Sequence, residues 1–280
     1  MTELEEHVEA LTIAGNDSDG SAGMPADLHT FYALGVYGMG LLTSAVAGNS
    51  RGIFAQELMP TDFINRQFQV LNDDYVIKSS KTGMLGTKEV IDTVAENIKK
   101  YHMQNIVVDP VISTKHGATL LKDEAYQAFL DELVPLATII TPNFYEAQKL
   151  TELDLANDDE IRKAAQMLQN MGARNVLIKG KHTGAEAEVR DYLLLEDSSE
   201  LWLSKPYFET NRVNGTGDTL SAAITAELAK GNNIKNAVEI AKDFTYYAIS
   251  HPIKVGSLYG PINHGNAQKK YEEDQKNQKN

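Results

Sequence analysis

Residues 105–111, NIVVDPV, form an apolar run without alternation, the pattern of a strand covered on both faces. Similar short runs fall at 10–15, 41–47, 75–79, 138–141 and 175–179. Helical periodicity lies between them, at 25–34, 88–101, 123–133 and 158–171. Strands separated by helices must be joined by crossovers, which predicts an α/β fold with a mostly parallel sheet. Residues 192–196 and 201–204, split by four polar positions, predict a hairpin and hence an antiparallel edge. Further helices are expected at 217–229, with Leu220, Ala223, Ile224 and Leu228 on one face, and at 234–250, before Pro252. Residues 10–265 read as one domain, preceded by an extension over 1–9. Residues 266–280 are polar and predict a disordered tail.

Charge and cysteine usage remove several function classes. Acidic residues outnumber basic ones by 39 to 26, a net charge of −13 that would repel a phosphate backbone, so no nucleic-acid partner is expected. The chain has no cysteine, which excludes disulfides, thiolate metal sites and a cysteine nucleophile. The acidic start MTELEEHVEA is unlike a secretion signal, and a cytoplasmic location is expected. Residues 30–50 carry no charge and have the length of a membrane span. Gly35, Gly38, Gly40 and Gly48 within them fit a helix end, a turn and a buried strand better, so no membrane partner is expected.

Neither a Walker A loop nor a GxGxxG turn is present. A GxSxG pattern at 48–52 raises a serine hydrolase with Ser50 as nucleophile, followed by a weak helix after Gly52. The strongest local signal is 214–219, NGTGDT, which opens the helix at 217. Glycines at a helix start let backbone amides converge on an anion, and the dipole adds about half a positive charge. Asp218 is either a proton acceptor in that field or a capping residue. Asp109, Asn143, Glu146 and Lys179 all follow strand ends, where open parallel sheets bind ligands. Oxygen ligands there suit Mg²⁺ beside nucleotide phosphates, and Lys179 offers a point charge to a phosphate. The seven histidines show no metal spacing. His116 reads as a surface histidine and Trp202 as a packing or interface residue.

These segments, together with 10–17, 20–23, 26–28, 35–39, 81–84, 109–111, 141–147 and 215–218, resemble the ribokinase-like vitamin kinases. The resemblance is to the hydroxymethylpyrimidine kinase branch and its pyridoxal kinase relatives, and it runs over roughly residues 10–262. It implies a three-layer α/β/α sandwich that moves the γ-phosphate of ATP to a primary alcohol on a heteroaromatic ring. Asp17, Met84 and Val111 would then line the ring pocket. Asn143, Lys179 and Lys242 would belong to the nucleotide site, with Asp109 and Glu146 near Mg²⁺. Gly215, Thr216 and Gly217 would form the anion hole, and Asp218 would take the alcohol proton. Relatives often dimerise, so a homodimer is expected.

Two departures from the branch bear on the substrate. Asp218 stands where cysteine is usual, which keeps a base but excludes a thiol adduct with an aldehyde. Gly48 stands where pyrimidine-phosphorylating members have glutamine, whose amide can meet a ring amino group. Gly48 therefore points to pyridoxal, pyridoxine or pyridoxamine as acceptor, with hydroxymethylpyrimidine or its phosphate as the alternative. A vitamin-binding module without catalysis is a further alternative, against which Asp218 and the anion-hole glycines argue. Asn16 and Ser21 also replace a more usual serine and glycine in the first loop.

Overall fold

The structure is a computed structural model and describes residues 6–112, 123–181 and 187–278; His116 lies outside the described residues. The strands are β1 (Glu9–Asp17), β2 (Tyr37–Asn49), β3 (Gly52–Leu58), β4 (Ser79–Thr82), β5 (Ile106–Val108), β6 (Ile139–Ile140), β7 (Asn175–Ile178), β8 (Glu188–Leu194) and β9 (Glu200–Pro206). They form one sheet in the order β3-β2-β1-β4-β5-β6-β7-β8-β9. From β2 to β7 the strands run parallel, and β3, β8 and β9 pair antiparallel at the two edges.

Helices α1 (Gly23–Ala33), α7 (Thr216–Ala229), α8 (Ile234–Ile249) and α9 (His264–Gln278) cover one face. Helices α2 (Thr61–Asn72), α3 (Lys88–Lys100), α4 (Asp123–Ala128), α5 (Phe144–Thr151) and α6 (Asp158–Asn170) cover the other. Strand β5 shows why the NIVVDPV run does not alternate. Ile106 and Val108 pack with Phe68, Ile91 and Leu133, while Val107 packs with Phe31, Ile224 and Phe244 on the opposite face. The three-layer α/β/α sandwich is therefore present.

Several elements differ from the sequence expectation. The residues after Gly52 are the edge strand β3, not a weak helix; all but Gly52 are exposed, so no apolar face marked it as a strand. The strand expected at 75–79 lies at Ser79–Thr82, four buried residues without one apolar side chain. Helix α2 has no counterpart in the expectation. Residues expected as a disordered tail belong to helix α9, anchored by fully buried Ala267 and half-buried Tyr271 against the α1/α8 face. Residues 30–50 are the end of α1, a turn at Gly35 and β2. Among the described residues no helix is long and apolar enough to cross a membrane.

Candidate active site

The carboxyl ends of the parallel strands converge on the start of α7. Gly215 caps that helix in the left-handed region, at φ 78°, and a Cβ there would lie 2.3 Å from the Ser21 carbonyl oxygen. Only glycine can hold this turn so close to the loop after β1. Asn214 Nδ2 donates to Ser21 Oγ at 3.4 Å and ties the same two segments together. The first N–H groups of a helix have no intrahelical partner, so the turn presents donors and a positive dipole end. Thr216 turns its own N–H and Oγ1 back to the Val213 carbonyl. A Cβ on Gly217 would stand 3.5 Å from Lys179 Nζ and 3.9 Å from Asp109 Oδ2, so the turn borders both.

Asp109, at the end of β5, is a buried hub. Its Oδ1 accepts from Lys179 Nζ at 3.1 Å and from Thr141 Oγ1 at 3.3 Å; its Oδ2 accepts from Ser221 Oγ at 3.0 Å. Asn143 caps α5 in a reciprocal box: Asn143 Oδ1 accepts from the Glu146 N–H, and Glu146 Oε2 from the Asn143 N–H. Burial pushes the Glu146 carboxyl up to about 7 against the pull of Lys179, and Asp109 adds to the rise. Burial alone would lower the Lys179 ammonium, but Asp109 and Glu146 raise it above its ordinary value. The pair thus keeps a cation beside the 215–217 turn.

A second group lies at the ends of β1 and β2. Burial, then Asp19 and Asp218, push the Asp17 carboxyl up to about 6. Among the described residues its buried Oδ1 has no hydrogen-bond partner. Gly48 lies directly against it, where a Cβ would come 2.9 Å from that oxygen. A Cβ on Gly15 would meet Ser44 Oγ at 2.6 Å and Met84 Cε at 3.0 Å, so both side chains crowd over Gly15. The Ser44 hydroxyl, also buried, lacks a partner as well. Val111 follows Asp109 closely, its N–H donating to the Asp109 carbonyl at 3.0 Å.

Lys242, expected with the nucleotide residues, stands on α8 with its Nζ 2.6 Å from Asp191 Oδ2. It reaches the cluster only indirectly: Asp191 Oδ1 accepts from the N–H of Gly180, the residue after Lys179. Ser50 is not on a hydrolase elbow. It sits in the β2–β3 hairpin turn, a strand-to-strand connection, and its Oγ faces Ser257 at 3.3 Å. Trp202 packs on Tyr192 with ring centroids 4.9 Å apart and is covered by the Arg190 guanidinium.

The residues not foreseen are Thr12, Asp27 and Lys81. Asp27 is fully buried and accepts from Thr12 Oγ1 and Lys81 Nζ, both at 2.6 Å. Burial pushes its carboxyl up to about 7, and Lys81 and Thr12 hold it from rising further. A lysine inside a strand of polar residues was the available signal, because a buried lysine needs an anion.

The model of the family described as "Phosphomethylpyrimidine kinase" matches residues 17–263, which include every site residue named above except Thr12 and Gly15. The chain belongs to this family. It is 44% identical over 258 residues to the hydroxymethylpyrimidine/phosphomethylpyrimidine kinase of Haemophilus influenzae, covering 91% of this chain and 96% of that one. The Bacillus subtilis pyridoxal kinase, solved as an ADP complex, superposes with a TM-score of 0.85 at 36% identity, covering 93% and 98% of the two chains. The Staphylococcus aureus pyridoxal kinase, solved with AMP-PCP and pyridoxal, gives 0.84 at 33% identity, covering 94% and 95%. The protein is a kinase of this family, whose relatives carry both substrate names.

Proposed function

We propose that the protein transfers the γ-phosphate of ATP to the 5-hydroxymethyl group of pyridoxal, pyridoxine or pyridoxamine. The observation that carries the acceptor class is Gly48: it offers no amide to a ring amino group, and the unpartnered Asp17 Oδ1 beside it is the polar group left to meet the ring. Met84 and Val111 supply apolar contact.

In the transfer step, Asp218 accepts the proton of the acceptor hydroxyl as its oxygen bonds to the γ-phosphorus. The bond from that phosphorus to the β-γ bridging oxygen breaks, and ADP leaves. The 215–217 turn and Lys179 stabilise the charge that gathers on the transferred phosphoryl group. Asn143, and Lys242 through Asp191 and Gly180, hold the loops that frame the nucleotide. The donor set of Asp109 and Glu146 is all carboxylate oxygen, which fits Mg²⁺. Among the described residues no third acidic or imidazole group joins them, so water and phosphate oxygens would complete the shell. When bound, Mg²⁺ supplies neutralising charge to the phosphates.

The names of sequence relatives favour a second reading, in which hydroxymethylpyrimidine or its phosphate is the acceptor. The test is ATP consumption with Mg²⁺ in the presence of pyridoxal, pyridoxine and hydroxymethylpyrimidine side by side. Preference for the B6 vitamers supports the proposal, and turnover of the aminopyrimidine alone overturns it. Asp218→Asn is expected to lower kcat by about 100- to 10,000-fold with acceptor binding retained.

A further inference from the structure

Lys81 stands on β4 with no exposed side-chain surface, Nζ 2.6 Å from Asp27 Oδ1 and 3.9 Å from Asp218 Oδ1. An ammonium has three N–H donors, and Asp27 takes one of them. Both Asp27 oxygens are occupied, one by Lys81 and one by Thr12, so Asp27 fixes the lysine from behind. The remaining carboxylate within ion-pair range of Lys81 is Asp218, the one member of this group with exposed surface, at 20%. A pair that served packing alone could be replaced by apolar side chains at little loss of stability. Here one end of the buried charge is directed at the reacting carboxylate.

We propose that Lys81 is a positioning residue for phosphoryl transfer: braced by Asp27, its ammonium pairs with the Asp218 carboxylate and holds it aimed at the acceptor hydroxyl. The inference rests on the reading of Asp218 as the base. The need for such a cation follows from the surroundings. The charged groups that face Asp218 are Asp17 at the end of β1, Asp27 on α1, Lys81 on β4 and Lys179 after β7. Two of these four are carboxylates that repel it. Lys179 also acts on Asp218 but pairs with Asp109 at 3.1 Å, whereas Lys81, at 3.9 Å, is the ammonium that pairs with Asp218 among the described residues. The Lys81 charge is itself secure. Burial opposes it, but Asp27, Asp218 and Asp109 together raise the ammonium above its ordinary value. His264, on α9, bonds to the neighbouring Thr219.

The test is the pH profile of kcat/KM for the wild type, Lys81→Met and Asp27→Asn, with folding of each variant checked by circular dichroism. Lys81→Met is expected to move the acid limb up by about one to three pH units, the effect of an opposite charge within about 4–6 Å, with the KM for ATP changed less than about two-fold. Asp27→Asn replaces a carboxyl already raised to about 7, so it removes no charge at the pH of the acid limb, and the limb is expected to stay within about half a pH unit of the wild type. A limb that moves only when the lysine is removed is not produced by loosened packing, which both variants share. If Lys81→Met does not fold, Lys81→Gln carries the test, with the same upward move expected. Loss of activity with an unmoved limb in a folded Lys81 variant overturns the role of Lys81 while leaving Asp218 as base. A fully active Asp218→Asn would instead remove the base reading, and this inference with it.

Discussion

His264, a residue outside the chemistry, should withdraw stability from this protein as pH falls. Its Nε2 lies 2.8 Å from Thr219 Oγ1, and its ring centroid is 5.6 Å from that of His29. Burial, and then repulsion from His29, lower its pKa from 6.5 to about 4. A histidine held neutral in the folded state and protonated in the unfolded one withdraws stability as pH falls from the unfolded value towards the folded one. With these two values the loss between about pH 7.5 and about pH 5 is about 2 kcal/mol, of a limit near 3 kcal/mol. Asp17, Asp27 and Glu146 act in the opposite sense. Their raised pKa values, about 6, 7 and 7, give stability that is gained as pH falls through the same window. The comparison that isolates His264 is therefore wild type against His264→Gln, whose amide can still reach Thr219. Denaturant unfolding at the two pH values should show the wild type losing about 2 kcal/mol more than the variant, because the carboxylate contributions cancel between them. Equal losses in both proteins would refute the reasoning.

Three further substitutions test other parts of the structure. Gly215→Ala puts a Cβ 2.3 Å from the Ser21 carbonyl at a left-handed φ, and should lower kcat/KM by at least about ten-fold, read in the ATP-consumption assay. Ser50→Ala changes only a hairpin turn and should leave kcat and KM within about two-fold, whereas loss of activity would return the serine to consideration. Phe68→Ala empties a fully buried site between α2 and the sheet, and should cost about 3–5 kcal/mol in denaturant unfolding with the KM for ATP unchanged.

The elements legible in the sequence were those with an apolar face or an apolar run. Helices α3 and α6 bury hydrophobic residues at helical spacing, while strand β5 and helix α7, buried all round rather than on one face, were marked by their apolar composition. The edge strand β3 and the polar strand β4 lack that signal. Backbone pairing with β2 makes the first a strand, and a buried network makes the second one. Helix α9 was obscured because Ala267 and Tyr271 are few anchors among many polar residues.

The sequence by itself determined which chemistry was possible. Without cysteine there is no thiol, and glycines at 215 and 217 followed by Asp218 at the start of a helix predict an anion site with an adjacent carboxylate. Carboxyl ends of parallel strands meet on one edge, so Asp109, Asn143, Glu146 and Lys179 could be assigned to one site from connectivity alone. What only the tertiary structure decided is how the charges pair. Lys81 and Asp27 lie 54 residues apart, and nothing local tells which anion the lysine meets. Packing α1 and α7 onto the same face of the sheet removes water from both, and once water is gone each charge must find its partner in the protein.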